Sequence, residues 1–212
     1  MFASNGAKDR VAILCLVAMA LVAALAVTAS PAQGEEKYYA RAVSMGSIGH
    51  GKSTSLQIRI TRWTTDEERI GLLGVVTQYA NKKRGQEELV KALQAEKETG
   101  WIQIFSAGAM SSGFPSTRLH YSRAFPGEDG GRTIVLVTDR PIGFGEAVWN
   151  PGTIDYPISV IILNVDKDGK GDGSLAIGVH VGFDEKTGKI GIAQYSTEPI
   201  RLTKVELKGS SS

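Results

Sequence analysis

The sequence predicts a mainly antiparallel β protein, a sandwich or an open barrel bordering on α+β, with one helical pair at about residues 65–99. Three observations carry this. Short segments that alternate apolar and polar residues recur along the chain, separated by Gly- and Asp-rich turns at hairpin spacing. The continuous apolar run Val160-Ile161-Ile162-Leu163 reads as a central strand buried on both faces. The alternation gives way once, between Thr64 and Gly100, to helical spacing.

The chain has 212 residues, of which 42% are hydrophobic and 22% charged, with a formal net charge of +2, the profile of an ordinary globular protein. Lys and Arg are interleaved with Asp and Glu. Even the densest basic cluster, Lys82-Lys83-Arg84, is followed by Glu87-Glu88, so the charge pattern points to no nucleic-acid partner. Lys8 and Arg10 precede an unbroken apolar run from Val11 to Val27, and "TASPAQ" follows, which is the layout of a secretory signal peptide. Residues 1–32 are read as that segment, cut after Ala32 or after Ala29, and residues 33–212 as a single β-rich domain. The location expected is periplasmic or extracellular. An uncleaved N-terminal anchor is the alternative, and only then would the mature chain carry a membrane span. Cys15, the only cysteine, lies in the apolar run with Leu14 before it, where lipoprotein-type acylation requires a small residue. A cleaved chain has no thiol, which excludes disulfides, cysteine nucleophiles and thiolate metal sites.

Taken in order, "YYARAVSM" and "STSLQIRITRW" read as two strands, the second with Leu56, Ile58 and Ile60 on one face and Gln57, Arg59 and Thr61 on the other. In "TTDEERIGLLGVVTQYA", Thr64 or Thr65 caps a helix, Glu67 or Glu68 completes the capping box, and Ile70, Leu73, Val76 and Tyr79 form its apolar stripe. The turn "NKKRG" leads to a second helix with Leu89, Val90 and Leu93 on one stripe and Gly100 as its stop. From Trp101 onward the segments are strands. "TRLHYSRAF" and "RTIVLVTD" flank "PGEDGG", "ISVIILNVD" and "SLAIGVHVGF" flank "KDGKGDG", and "KIGIAQY" and "IRLTKVEL" follow. Six strands at this spacing imply hairpins rather than crossovers.

Several motifs invite a chemical reading. Gly46, Gly51, Lys52 and Ser53 in "GSIGHGKS" satisfy the phosphate-cradling loop pattern. That loop must open a helix, whose N-terminus holds the phosphates. Here it opens the alternating segment "TSLQIRIT", so the match is read as chance and the loop as a hairpin turn. "DKDGKGDG" places Asp166, Asp168 and Gly171 where a calcium loop has them, but Lys170 and Ile177 replace two required oxygen ligands, and the reading is again a hairpin. His50, His120 and His180 stand at no metal-ligand spacing, His120 being read on one strand face with Arg118 and Ser122. No metal and no cofactor is expected.

Two features suit a binding surface better. In "SLAIGVHVGF", Leu175, Ile177, Val179, Val181 and Phe183 form one apolar face, and Ala176, Gly178, His180 and Gly182 a nearly bare one. If Phe183 pairs with Ile190 and Val181 with Ile192, Gly178 falls opposite Tyr195, and the bare face admits either the helical pair or a flat ligand. The connection from Asp139 to Pro157 has no period but carries Phe144, Trp149 and Tyr156 beside Arg140, Glu146 and Asp155. Long aromatic loops either bind something or fold back over an open sheet end.

The strings "TRWTTDEERIGLL", "LVTDRPIGFGEAVW", "TIDYPISVIILNVDKDGKGDG" and "TEPIRLTKVEL" together resemble a group of uncharacterised exported bacterial proteins of similar length, over about Tyr38 to Leu207. The resemblance implies a single exported domain and brings no activity, ligand or catalytic residue with it. The leading expectation is therefore a non-catalytic module that binds a small molecule or an envelope component. Arg140, Phe144, Glu146, Trp149, Asp155, Tyr156, His180 and Tyr195 are its candidate ligand-binding residues. The runner-up is a hydrolase whose acid and base lie among Asp139, Glu146, Asp155 and His180; it requires carboxylates that converge in a pocket with at least one raised pKa, whereas an apolar cleft favours binding. A purely structural envelope protein, the third reading, predicts a flat surface without a pocket.

Overall fold

The computed structural model describes residues 34–43, 53–82, 84–105, 116–142, 157–184, 186–196 and 198–211. In these the chain runs through β1 (Glu35–Val43), β2 (Ser53–Ile60), α1 (Asp66–Tyr79), α2 (Gly85–Ala95), β3 (Gly100–Phe105), β4 (Ser116–Leu119), β5 (Tyr121–Pro126), β6 (Arg132–Thr138), β7 (Ile158–Val165), β8 (Lys170–Asp184), β9 (Lys189–Tyr195) and β10 (Ile200–Ser211). Every pairing is antiparallel. The protein is mainly antiparallel β with two helices, and the sheet order β4-β3-β2-β1-β10-β8-β7-β6-β5 curls into a nearly closed barrel. β9 stands off this path, paired only with β8.

Alternation decides which residues fill the barrel. Leu56, Ile58 and Ile60 of β2, Ile134 and Leu136 of β6 and Ile161 and Leu163 of β7 all point into one core with Tyr38, Leu175 and Leu202. The residues between them on β6 and β7, Val135, Val160 and Ile162, belong to a second apolar cluster under the helices, so β7 is buried on both faces as its unbroken apolar run implies. β1 pairs directly with β2, Val43 opposite Ser53, and β2 begins at Ser53. The Gly-Lys-Ser motif thus runs into a strand.

The barrel closes through a polar seam. "TRLHYSRAF" is not one strand but two, broken at His120, whose N–H donates to Val137 O at 2.9 Å and turns β4 away from β5. His120 consequently does not share a face with Arg118 and Ser122; it is buried beside Asp139, while Arg118 is exposed and pairs with Glu98. The open edge of β5 is met by the segment after β2: Thr64 N–H donates to Ser122 O and Ser122 N–H to Thr64 Oγ1, both at 2.9 Å. Thr99, just before β3, donates its N–H to Leu119 O at 2.7 Å and shares a 2.8 Å hydrogen bond between its Oγ1 and Ser122 Oγ.

The capping box of α1 is formed by Thr65 and Glu68, as the sequence suggests. The stripe is rotated from the expected one, however: Leu72 and Val76 are buried, and Ile70 is 62% exposed. Arg123 of β5 fixes the helix phase, donating from Nη1 to Thr64 O at 3.1 Å and from Nη2 to Asp66 Oδ1 at 2.7 Å. α2 ends at Ala95 instead of Gly100; Gly100 opens β3, and a Cβ there would lie 2.0 Å from Arg59 O, so the position requires glycine. A Cβ at Gly85 would lie 1.7 Å from Tyr79 O, so the tight turn between the helices requires glycine.

β8 departs from simple alternation. Ile158 pairs with Val179 and Val160 with Ala176, so the chain carries one extra residue around Gly178, which takes a φ of +62°. Leu175 and Ile177 face the barrel core, whereas Val179, Val181 and Phe183 face the second cluster. The single apolar face expected over 175–183 is therefore split. Phe183 opposite Ile190 and Val181 opposite Ile192 hold, but a second irregularity puts Tyr195 opposite Val179 rather than Gly178.

Leu136 is wholly buried in the barrel core, and Leu136→Ala should cost about 2–5 kcal/mol. Ser122→Ala, which strands the Thr99 hydroxyl, should cost about 1–3 kcal/mol. Urea unfolding measures both, and Ile70→Ala, at an exposed position, is the control that should change little.

Candidate functional site

Two places on the outer side of the sheet bring together side chains with chemistry. The first begins where β6 ends. Asp139 is buried and accepts hydrogen bonds from Arg140 Nε and Nη2, both at 3.0 Å, and from Gln94 Nε2 of α2 at 2.9 Å, with His120 Nε2 at 3.7 Å. Burial alone works to raise this carboxyl. The hydrogen bonds from Arg140 and Gln94 and the Arg140 charge outweigh it and hold the group below its ordinary value of 3.8. Asp139 is thus an anchored anion that ties α2 to the barrel rim. A general acid needs the opposite shift.

The second place is a cavity of about 120 Å³ between the helices and the outer face of the sheet. Its roof is Leu72, Leu73 and Val76 of α1 with Leu89 and Leu93 of α2, and its floor is Phe125 of β5, Val135 and Val137 of β6 and Val160 of β7. Val181, Ile190, Gly191 and Ile192 of the β8–β9 arm form a side wall, and Arg69 and Tyr121 complete the lining. The arm is held against the helices by two side-chain amides that imitate a neighbouring strand. Gln86 donates to Val181 O at 2.8 Å and accepts from Val181 N–H at 3.1 Å; Asn81 donates to Phe183 O at 2.7 Å and accepts from Phe183 N–H at 3.3 Å. Both edges of this part of β8 are therefore paired, one by β9 and one by amides.

The cavity exists because of residue shape. Val135, Val137 and Val160, short and branched at Cβ, make three of the four floor residues, facing the leucines of α1 and α2. Tyr121 is the hydroxyl in this lining, and burial raises its pKa to about 12 although Arg123 and Arg69 act against it. It is a neutral hydrogen-bond donor across the physiological range.

Of the residues expected to bind a ligand, Phe144, Glu146, Trp149, Asp155 and Tyr156 lie outside the described residues, as do Gly46, Gly51 and Lys52. Arg140 is engaged with Asp139. His180 alternates away from the helices, and Tyr195 packs at the edge of the second cluster without lining the cavity. The helical pair covers the Val181 and Phe183 face instead of the bare one. The Asp166 carboxylate is used by its own hairpin, accepting from Asp168 N–H at 2.8 Å and Lys170 N–H at 2.9 Å. Among the described residues no group of three His, Cys, Asp or Glu side chains is placed to hold a metal, and no helix is long and apolar enough to cross a membrane.

The depressed Asp139 pKa has a defined sign. The folded chain binds this proton more weakly than the unfolded chain, so the group stabilises the fold above about pH 4 and loses that contribution as the pH falls through the depressed value. Asp139→Asn should lower the melting temperature at neutral pH and flatten its fall between about pH 5 and 2, as read by circular dichroism. An unchanged acid slope in the variant would contradict this role.

In comparisons with known proteins, no family model, no curated protein and no solved structure matches the chain.

Proposed function

We propose that this chain is a non-catalytic binding protein that takes a small, mainly apolar molecule into the cavity between the helical pair and the outer face of the sheet. The supporting observation is the cavity itself, about 120 Å³ lined almost wholly by aliphatic and aromatic side chains. An apolar cavity of similar size, about 150 Å³, stays dry and binds benzene. The size suits one small ring or a chain of about six carbons. The polar cluster at Asp139 supports the same reading, because its carboxyl is held anionic by Arg140 and Gln94 instead of being poised to give up a proton. We read the protein as exported, on the signal-like segment from Lys8 to Ala32, with its ligand met in the periplasm or outside the cell.

Benzene at millimolar concentration should raise the melting temperature by a few degrees. Val137→Phe, which fills the floor, should abolish the shift without loss of stability. No shift with benzene, or an equal shift in the filled variant, would defeat the assignment of binding to this cavity.

A further inference from the structure

The helices cover one half of the sheet, and the outer face of the other half, β10-β1-β2-β3-β4, carries an ordered set of cations and aromatic rings. Four neighbouring strands place Lys37, Arg59, Trp101 and Arg118 directly opposite one another, each Cβ about 5 Å from the next. Along β1 the same face continues through Tyr39 to Arg41, and Lys37 Nζ stands 5.5 Å from the centre of the Tyr39 ring. On β10, Thr203 is opposite Arg41 and Arg201 opposite Val43, so the two arginines are diagonal neighbours. Lys204 adds an exposed cation in the bulge beside them, and Asp172 of β8, beyond β10, ends the cationic run.

The carboxylates set among these cations are already engaged: Glu35 by Arg59 at 2.6 Å, Glu98 by Arg118 and Glu206 by Lys208. Lys37, Arg41, Arg201 and Lys204 form no ion pair among the described residues. Like charges facing each other across strands destabilise a sheet. Lys37 opposite Arg59 is therefore a local cost, of the kind that proteins retain where a surface binds something.

We propose that this face binds a polysaccharide whose sugars carry carboxylates, laid flat across β10 and β1–β4. The guanidinium forks of Arg41 and Arg201 match a carboxylate and are exposed without another partner among the described residues, so they grip the polymer. Tyr39 and Trp101, half-buried in the same face, offer planar apolar surface to the sugar rings between the charges. A single-stranded nucleic acid, the other polyanion with this complementarity, tracks a cationic groove and stacks its bases on uncovered rings. This face is instead the outside of a barrel, and the Tyr39 ring is already met by Lys37. The exported location proposed above also puts a surface polysaccharide within reach. The assignment is independent of the apolar cavity.

Calorimetric titration at low salt with polygalacturonate, uncharged dextran and an oligothymidylate of similar charge tests it. Polygalacturonate should bind, dextran should not, and oligothymidylate should bind about tenfold more weakly than polygalacturonate. Added salt should weaken the polygalacturonate complex. The doubly substituted protein, Arg41→Ala with Arg201→Ala, is altered at exposed positions without ion pairs and should keep its melting temperature while losing about tenfold in affinity. No binding of polygalacturonate, binding unchanged by the double substitution, or equal binding of dextran overturns the proposal. Oligothymidylate bound as tightly as polygalacturonate, or more so, overturns it in favour of a nucleic acid.

Discussion

Three short hydroxylated side chains, Thr64, Thr99 and Ser122, hold the two ends of the curled sheet together. All three are essentially inaccessible to solvent, so their hydrogen bonds have no competition from water and each donor left without a partner would be costly. The seam lies between β5 and the two chain segments that enter and leave the helical pair. Closing the barrel therefore also decides where the helices hang. Arg123 extends the seam outward, from the Thr64 carbonyl to the Asp66 carboxylate in the first turn of α1. The helix is fixed over β5 and β6 before any apolar contact beneath it is considered.

The cavity follows from that suspension. A helix free to settle would sink until its leucines met the sheet, because close packing gains dispersion energy at every contact. Here α1 is held at its N-terminal end by Arg123 and the capping box, and α2 by Gln94 on Asp139. The turn between them is held by Asn81 and Gln86 on β8. Arg123, Gln94, Asn81 and Gln86 place polar attachments around the margin of the roof, above the short valines. Polar bonds at the edge thus preserve apolar space at the centre. The Asp139 cluster belongs to this scaffold, and its charge serves as an anchor for α2.

Much of the fold was legible in the sequence, and its failures share a cause. The alternation in β2, the two-sided burial of β7 and the capping box of α1 are local patterns and they hold. What was not legible is where a pattern changes phase. Counting by twos through residues 175–183 assumes an uninterrupted strand, and the left-handed turn of backbone at Gly178 moves every later side chain to the other face. His120 does the same to "TRLHYSRAF" by ending one strand and starting another. The phase of α1 depends on Arg123, more than fifty residues away along the chain, which is why Ile70 turns outward. The cavity was less visible still. Each of its walls shows as an apolar stripe, but the volume left between stripes is a property of three dimensions, and only Arg69, a cation within a stripe of leucines and valines, marks the place.

β10, the last strand in chain order among the described residues, lies between β1 and β8 near the middle of the sheet order. It pairs with both of them. Without residues 200–211, β1–β4 and β5–β8 are joined at the seam alone, and the edges of β1 and β8 that β10 covers are unpaired. The pairing of β10 with β1 joins residues more than 150 apart along the chain, a contact of the kind that is slow to find. Until it happens two inner strand edges stand open at once, and pairing with another chain competes with pairing to β10. The same strand that completes the barrel thus sets the interval during which the chain is most prone to aggregate.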